Sequence, residues 1–225
     1  MENIVFGKIW LILRILGNFL LDTVVPQDPD IRAIERMSAE EFMFQTRSAD
    51  QPIPTIGNET ISLFSYKQKL VRKALVEIKD YPNRNIAYMF GKILHSELTV
   101  RLPVRAFPYL ILPIPITRKK RCDRGWNQCE LILRGLKRID RGKSFDVRTD
   151  VLKKIRETED QVGKSRSERF ENVKNSFSVE YADAVRDRHV IIFDDILTTG
   201  ATLTDASRAL TEAGAAKIIR ISIAR

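Results

Sequence analysis

Apolar residues along this chain recur at two periods, and the change from one to the other lays out its elements. In Val5–Leu21, Phe6, Ile9, Leu13, Leu16 and Leu20 fall at helical spacing. Lys8 and Arg14 interrupt that run, and a membrane-spanning helix wants about 20 apolar residues with few charges. The stretch therefore reads as an amphipathic helix packed on the protein. A helix lying on a membrane surface is the alternative, because apolar residues nearly encircle it. Pro26–Asp30 breaks this helix. Ile31–Gln45 predicts one short helix with Ile34, Met37, Phe42 and Met43 as its apolar positions. Ser48–Glu59 is rich in proline, glycine and polar residues, as a linker is.

Beyond the linker, Ile61–Tyr66 predicts a strand, and Lys69–Lys79 and Asn85–Leu98 predict helices. Tyr109–Ile116 is a nearly continuous apolar run broken by Pro113 and Pro115, as where a buried strand ends in a loop. Asn127–Arg138 predicts a helix and Arg141–Thr149 a loop or hairpin entry. Lys153–Lys174 is long and charged, with Arg156, Lys164, Arg166 and Arg169. It reads either as a mobile lid or as a solvated face. The last third is clearer: strand Val190–Phe193, loop Asp194–Gly200, helix Thr202–Ala213 stopped by Gly214, strand Lys217–Ile223. A strand, helix and strand of these lengths imply a parallel pair with a right-handed crossover. The fold class is α/β, a mostly parallel sheet flanked by helices. Residues 1–47 form a small helical N-terminal appendage, 48–60 a linker and 61–225 the main domain.

Charge and cysteine usage narrow the function. The net charge of +9 favours polyanionic partners: nucleic acid, an anionic membrane or phosphorylated small molecules. Cys122 and Cys129 are the only cysteines. Their spacing suits neither a CxxC pair nor a zinc site, and only His95 and His189 could assist them. No zinc and no disulfide framework are expected, which fits a cytoplasmic protein whose first helix could contact a membrane.

The candidate chemistry lies in Asp194-Asp195-Ile196-Leu197-Thr198-Thr199-Gly200-Ala201-Thr202. Ligands in open α/β sheets bind beyond the carboxyl ends of strands. Paired carboxylates at a strand tip can accept hydrogen bonds from the vicinal hydroxyls of a ribose. Thr198, Thr199, Gly200, Ala201 and Thr202 open a helix whose unpaired N–H groups and positive end suit a phosphate. Gly200 lets the backbone approach it closely. A Walker B strand also ends in acidic residues, but no GxxxxGK[ST] loop accompanies it, and no GxGxxG loop exists. A plain capped helix with surface aspartates explains either half of the motif and not both at this spacing.

The stretch VIIFDDILTTGAT resembles the phosphoribosyl-pyrophosphate (PRPP) motif of type I phosphoribosyltransferases. Pro113-Ile114-Pro115-Ile116, Lys119 and Arg124-Gly125-Trp126-Asn127-Gln128 resemble the P-x-P…R-G-F-N-Q block of the ComF family. Thr158, Gln161, Arg169, Asn172 and Phe177 resemble its T-x-x-Q…R-x-x-N…F block, and Ile221–Arg225 its ending. The resemblance covers roughly Ile61–Arg225. It implies a type I phosphoribosyltransferase-like fold. It further implies transfer of phosphoribose from PRPP to a nitrogen acceptor with release of pyrophosphate, and Mg²⁺ arriving with the substrate. Asp194 and Asp195 would hold the ribose, Thr198–Thr202 the 5′-phosphate, and a loop carrying Arg118, Lys119, Lys120 and Arg124 the pyrophosphate. A link to competence and DNA uptake is implied too, with single-stranded DNA or competence proteins as partners. A non-catalytic PRPP-responsive or DNA-binding accessory protein is the other reading. Many ComF proteins carry an N-terminal four-cysteine zinc ribbon, and its cysteines are absent here. Trp126 stands where Phe is commoner and could stack on a base or sit in the core. Asn127 and Gln128 could serve the site or cap the helix that follows.

Overall fold

The structure is a computed structural model that describes residues 28–47, 60–103, 107–141, 143–156 and 172–225. The N-terminal run Val5–Leu21 and the linker 48–59 lie outside them, as do Thr158, Gln161, Lys164, Arg166 and Arg169. The α-helices are α1 (Pro29–Arg36), α2 (Ala39–Thr46), α3 (Lys69–Asp80), α4 (Arg84–Arg101), α5 (Arg118–Arg124), α6 (Gln128–Ile139) and α7 (Ala201–Glu212), with a 3-10 turn at Ala182–Ala184. The strands are β1 (Thr60–Phe64), β2 (Tyr109–Pro113), β3 (Phe145–Val147), β4 (Leu152–Lys154), β5 (Phe177–Val179), β6 (His189–Ile196) and β7 (Lys217–Ala224).

Five strands form one sheet in the order β1-β7-β6-β2-β3, every pair parallel. Both faces are covered, so inner strands are apolar at consecutive positions and alternate between two cores. Ile191 and Phe193 of β6 face the core shared with α3, α4 and α6. Val190 and Ile192 face the second core, against Leu203, Ala206 and Leu210 of α7. The chain leaves β2 towards β3 on one side and leaves β6 towards β7 on the other. The order thus reverses between β2 and β6, which places a crevice at their carboxyl ends.

The expected single helix Ile31–Gln45 is two helices. Met37 ends α1, and the Ser38 hydroxyl accepts the Glu41 N–H at 3.0 Å to start α2, the Ser-x-x-Glu signature of a helix start. Asp28 caps α1 and Pro29 begins it, the position a proline tolerates. Lys69 and Lys73 of α3 reach Asp30 at 2.8 and 2.7 Å and hold its carboxyl at about 2. On α2, Phe42 is fully buried, edge-on to Phe64 and Phe90 at 5.8 and 5.5 Å.

Arg141–Thr149, expected as a loop or hairpin entry, contains the parallel edge strand β3, whose Phe145 pairs with Tyr109. The ends of the charged segment Lys153–Lys174 also differ from expectation. Its first residues and those just beyond it form a two-stranded antiparallel ribbon, Leu152 opposite Val179 and Lys154 opposite Phe177. The Asp205 carboxylate of α7 anchors this ribbon, accepting the N–H groups of Asn175, Ser176 and Phe177 at 2.9, 2.7 and 3.2 Å. Asp205→Ala leaves these donors without their acceptor, an expected loss of about 2 kcal/mol. Asp205→Asn keeps one carbonyl oxygen and is expected to lose less. Thermal denaturation of the two variants checks the order.

Candidate functional site

The site is built where β6 runs out of core. Four buried apolar residues, Val190–Phe193, precede Asp194 and Asp195. The strand had been expected to stop at Phe193, with the aspartates in a loop. It continues through Ile196, because Asp194 stays in register with Ser222 of β7 and Ile196 with Ala224. Backbone pairing therefore fixes the carboxylates. The Asp195 N–H donates to Asp194 Oδ1 at 3.0 Å and the Ile196 N–H to Asp195 Oδ1 at 2.9 Å.

Helix α6 closes the site from the side. Gln128 Nε2 donates to Asp195 Oδ2 at 3.0 Å, and the Cys129 thiol donates to Asp194 Oδ1 at 3.8 Å. Asn127 caps this helix: its Oδ1 accepts the Cys129 N–H at 2.9 Å and its Nδ2 donates to the Ile114 carbonyl at 2.8 Å. Of the two residues that could serve the site or cap, Asn127 caps and Gln128 reaches the aspartates. Burial, then the charge of Asp195 and the hydrogen bond between the two, push the Asp194 carboxyl well above the carboxylate range. Burial and the same two charges push the Cys129 thiol up, so it stays neutral and is no nucleophile.

The ligand atoms of Cys129, Asp194 and Asp195 lie within 4.8 Å of one another. A neutral thiol does not suit a hard cation, whereas paired carboxylate oxygens do. The donor set fits Mg²⁺ that brings most of its oxygen ligands with it.

Past Ile196, the Leu197 N–H still bonds the Ala224 carbonyl at 2.8 Å. The chain then turns through Thr198 and Thr199 to Gly200, whose φ of 81° is the left-handed conformation that glycine adopts without penalty. Helix α7 starts at Ala201, and no side chain at its N-cap position takes the first N–H groups. Thr199 Oγ1 accepts the Ala201 N–H at a long 3.4 Å. Ala201 is buried and offers its backbone alone; Thr199 and Thr202 are half-buried and Thr198 is exposed. Such an end is open to an anion.

The expected loop carrying Arg118, Lys119, Lys120 and Arg124 is instead the short helix α5. Thr117 caps it, and Gly125, at a φ of 88°, ends it. Arg118, Lys119 and Lys120 are exposed. Arg124 donates to Gln128 Oε1 at 3.1 Å, so a hydrogen-bonded path runs from Arg124 through Gln128 to Asp195. Gln128, one of the two residues the motif offered to the site, reaches it, and Cys129 is a site residue that the sequence motifs did not single out. Trp126, the candidate base-stacking ring, donates its indole N–H to the Ile78 carbonyl at the end of α3, at 3.0 Å. His95 lies 3.6 Å from Asp140 and edge-on to Phe145, beside β3.

Residues 136–225, which carry β6, the turn at Gly200, α7 and β7, match the family described as Phosphoribosyl transferase domain. The chain contains a phosphoribosyl transferase domain. It is also homologous to proteins named for competence and DNA utilization. Competence protein F of Haemophilus influenzae is 30% identical over 119 residues, 52% of this chain and 51% of that protein. The DNA utilization protein YhgH of Salmonella typhimurium is 32% identical over 160 residues, 70% of this chain and 64% of that one. Competence protein ComFC of Bacillus subtilis is 26% identical over 155 residues, 69% and 59% of the two chains. The match thus spans about half the length of Competence protein F. Among solved structures, the allosteric regulatory enzyme of purine biosynthesis is 17% identical, with a TM-score of 0.40 over 66% of this chain and 30% of that one. A Staphylococcus aureus hypoxanthine phosphoribosyltransferase is 16% identical, with a TM-score of 0.37 over 65% and 69% of the two chains. Among the described residues, no helix is long and apolar enough to cross a membrane.

Proposed function

We propose that the phosphoribosyl transferase domain binds PRPP between the carboxyl ends of β2 and β6 and transfers its phosphoribosyl group to a nitrogen acceptor. A carboxylate pair fixed in strand register, followed at once by an uncapped helix start at a left-handed glycine, carries this reading. Asp194 and Asp195 accept the ribose hydroxyls. The backbone and hydroxyls of Thr198–Thr202 hold the 5′-phosphate. Arg118, Lys119, Lys120 and Arg124 face the pyrophosphate, with Arg124 oriented by Gln128. Mg²⁺ held with the substrate near Asp194 and Asp195 would supply positive charge to the leaving pyrophosphate. The acceptor nitrogen forms its bond to C1′ as the bond from C1′ to the pyrophosphate oxygen breaks, and the acceptor then loses a proton to solvent. Positive charge develops on the ribose as that bond lengthens. Two carboxylates that repel one another in the empty site are stabilised by that charge, so their mutual strain favours the transition state.

Pyrophosphate release from Mg-PRPP, measured against a panel of purine and pyrimidine bases and simple amines, tests turnover. Release with one acceptor class establishes the transferase. PRPP binding without release for any of them favours the second reading, a PRPP-responsive accessory protein. The names of the competence and DNA-utilization relatives support that reading, and they motivate a place in DNA handling for either.

Gln128→Leu is a narrower test of the site. It removes the amide that joins Arg124 to Asp195 and is expected to weaken PRPP binding about tenfold, some 1.4 kcal/mol. The far-ultraviolet circular dichroism should be unchanged. Calorimetry on the two proteins reads the difference, and unaltered affinity would remove Gln128 from the site.

A further inference from the structure

We propose that the cleft between α4 and α6, away from the aspartate pair, is a second binding site that takes a nucleotide by its phosphates. The cleft has a volume of about 450 Å³ and is lined by Arg84, Arg134, Lys137 and Arg138, with Tyr88 and Leu131 among its apolar wall residues. Small-molecule sites run from about 300 to 1,000 Å³, so the space is too large for a lone phosphate and suits a nucleotide. None of the lining residues is acidic.

Convergence distinguishes these cations from ordinary surface charge: four of them line one cleft whose lining holds no acid. The side chains of Arg84, Lys137 and Arg138 make no hydrogen bond or ion pair among the described residues. Arg134 has only a 3.9 Å contact with Glu130, and that carboxylate is already engaged by Arg121. Arginines elsewhere are of both kinds: Arg47 and Arg101 bind Glu97, Arg148 binds Asp150, Arg188 binds Asp146 and Arg208 binds Asp205, whereas the exposed side chains of Arg32, Arg36 and Arg72 make no ion pair among the described residues. Helix stability accounts for part of the cluster, because Lys137 and Arg138 lie in the last turn of α6, where the helix dipole favours cations. It does not account for Arg84, which opens α4 at the end where the dipole disfavours a cation. Nor does it account for Arg134 in mid-helix. Four cations converging on one concave surface raise the local concentration of anions, and arginine forks match phosphate oxygens.

The walls suit the rest of a nucleotide. Tyr88 is 38% exposed and Leu131 half-buried, which leaves ring and aliphatic surface for a base. The floor is rigid, because α4 and α6 touch backbone to backbone at Gly91 and Gly135, so little ordering is needed on binding. Gln128, at the start of α6, serves the aspartates. Lys137 lies nine residues on along that helix, about 13 Å at 1.5 Å per residue, and the cleft shares no lining residue with the aspartate site.

The test is calorimetric titration of the full chain with ATP in the absence of Mg²⁺. Saturable binding is expected. It should weaken at least about tenfold in Lys137→Glu/Arg138→Glu, whose side chains are exposed and whose folding is checked by circular dichroism, and persist in Asp194→Asn/Asp195→Asn. Inorganic triphosphate should compete and adenosine should not. Failure of the folded chain to bind ATP would overturn the proposal. So would ATP binding that is lost in the aspartate variant and kept in the charge-reversal variant, which would return the nucleotide to the PRPP site. Adenosine binding as well as ATP would refute the phosphate contacts. A single-stranded oligonucleotide of roughly 12 residues that displaces ATP at far lower concentration, with the same dependence on Lys137 and Arg138, would show the cleft to be a nucleic-acid surface instead.

Discussion

Asp194→Asn/Asp195→Asn is expected to lower the affinity for Mg-PRPP by at least about a hundredfold, some 2.7 kcal/mol, while the empty protein becomes harder to melt. The first half follows from the proposed ribose contacts: an amide accepts hydrogen bonds less strongly than a carboxylate and carries no charge for the substrate's metal or the developing ribose cation. The second half follows from the state of Asp194. Burial and the neighbouring Asp195 raise its pKa well above the ordinary value. The folded protein therefore binds that proton more tightly than the unfolded chain does. Ionising Asp194 then costs stability, a cost fully present above the raised pKa and relieved as pH falls towards the unfolded value. Asparagine removes the cost at every pH and keeps an oxygen for the Asp195 N–H. A gain of about 1 kcal/mol raises the melting temperature by ~2–4 °C in a chain of this size. Calorimetry with and without Mg²⁺, beside thermal melts at neutral and acidic pH, reads both halves. Lost binding with a lower melting temperature would mean that the variant is merely damaged. Retained binding would refute the assigned roles of both aspartates.

That opposition between function and stability also explains why this part of the site was legible in sequence. Asp194, Asp195, Gly200 and the start of α7 are contiguous, and each residue type is demanded locally: apolar strand, paired acids, left-handed turn, open helix end. Gln128 was legible only as an alternative, since its motif offered it to the site or to the helix cap, and Cys129 was not legible; they meet the aspartates across 67 and 65 positions. Three strands escaped notice for another reason. β3, β4 and β5 have three residues each, too few to show a period, and pairing to existing elements makes them strands. α5 has no apolar face at all, so periodicity could not find it. Its caps, Thr117 and Gly125, could have, as Ser38 and Glu41 could have divided α1 from α2. The misread limit of β6 has a related cause. Polar residues end a pattern of apolar ones, but the ladder to Ser222 and Ala224 carries the strand past them.

Gly91→Ala is expected to destabilise the protein by about 3 kcal/mol and to lower its melting temperature by ~6–12 °C. Gly91 sits inside α4, where alanine would ordinarily add about 1 kcal/mol of helix preference. Here a Cβ would lie 2.6 Å from the Leu136 nitrogen, 2.7 Å from the Ile132 oxygen and 2.8 Å from the Gly135 carbonyl carbon. All three are backbone atoms of α6, so no side chain can rotate away and the whole helix must retreat. Overpacking a tight core costs 1–3 kcal/mol and occasionally more. A rigid backbone neighbour puts this position at the upper end, about 4 kcal/mol before the helix gain is subtracted. Gly135→Ala provides the control from the other side of the crossing. Its Cβ would stand 3.0 Å from the Tyr88 Cα and 3.2 Å from the Ala87 oxygen. A shift of a few tenths of an ångström relieves those contacts, so helix preference nearly offsets the strain. The expected order is therefore a large loss at Gly91 and a small one at Gly135, read by chemical denaturation of both. Because α6 carries Gln128 and Cys129 to the aspartates, a retreat of α6 at Gly91 also loosens the PRPP site. Gly91→Ala should then weaken PRPP binding even at temperatures where the protein is fully folded, whereas Gly135→Ala should not. Equal losses of stability at the two positions would show that the crossing yields elsewhere and that α6 is not held at Gly91.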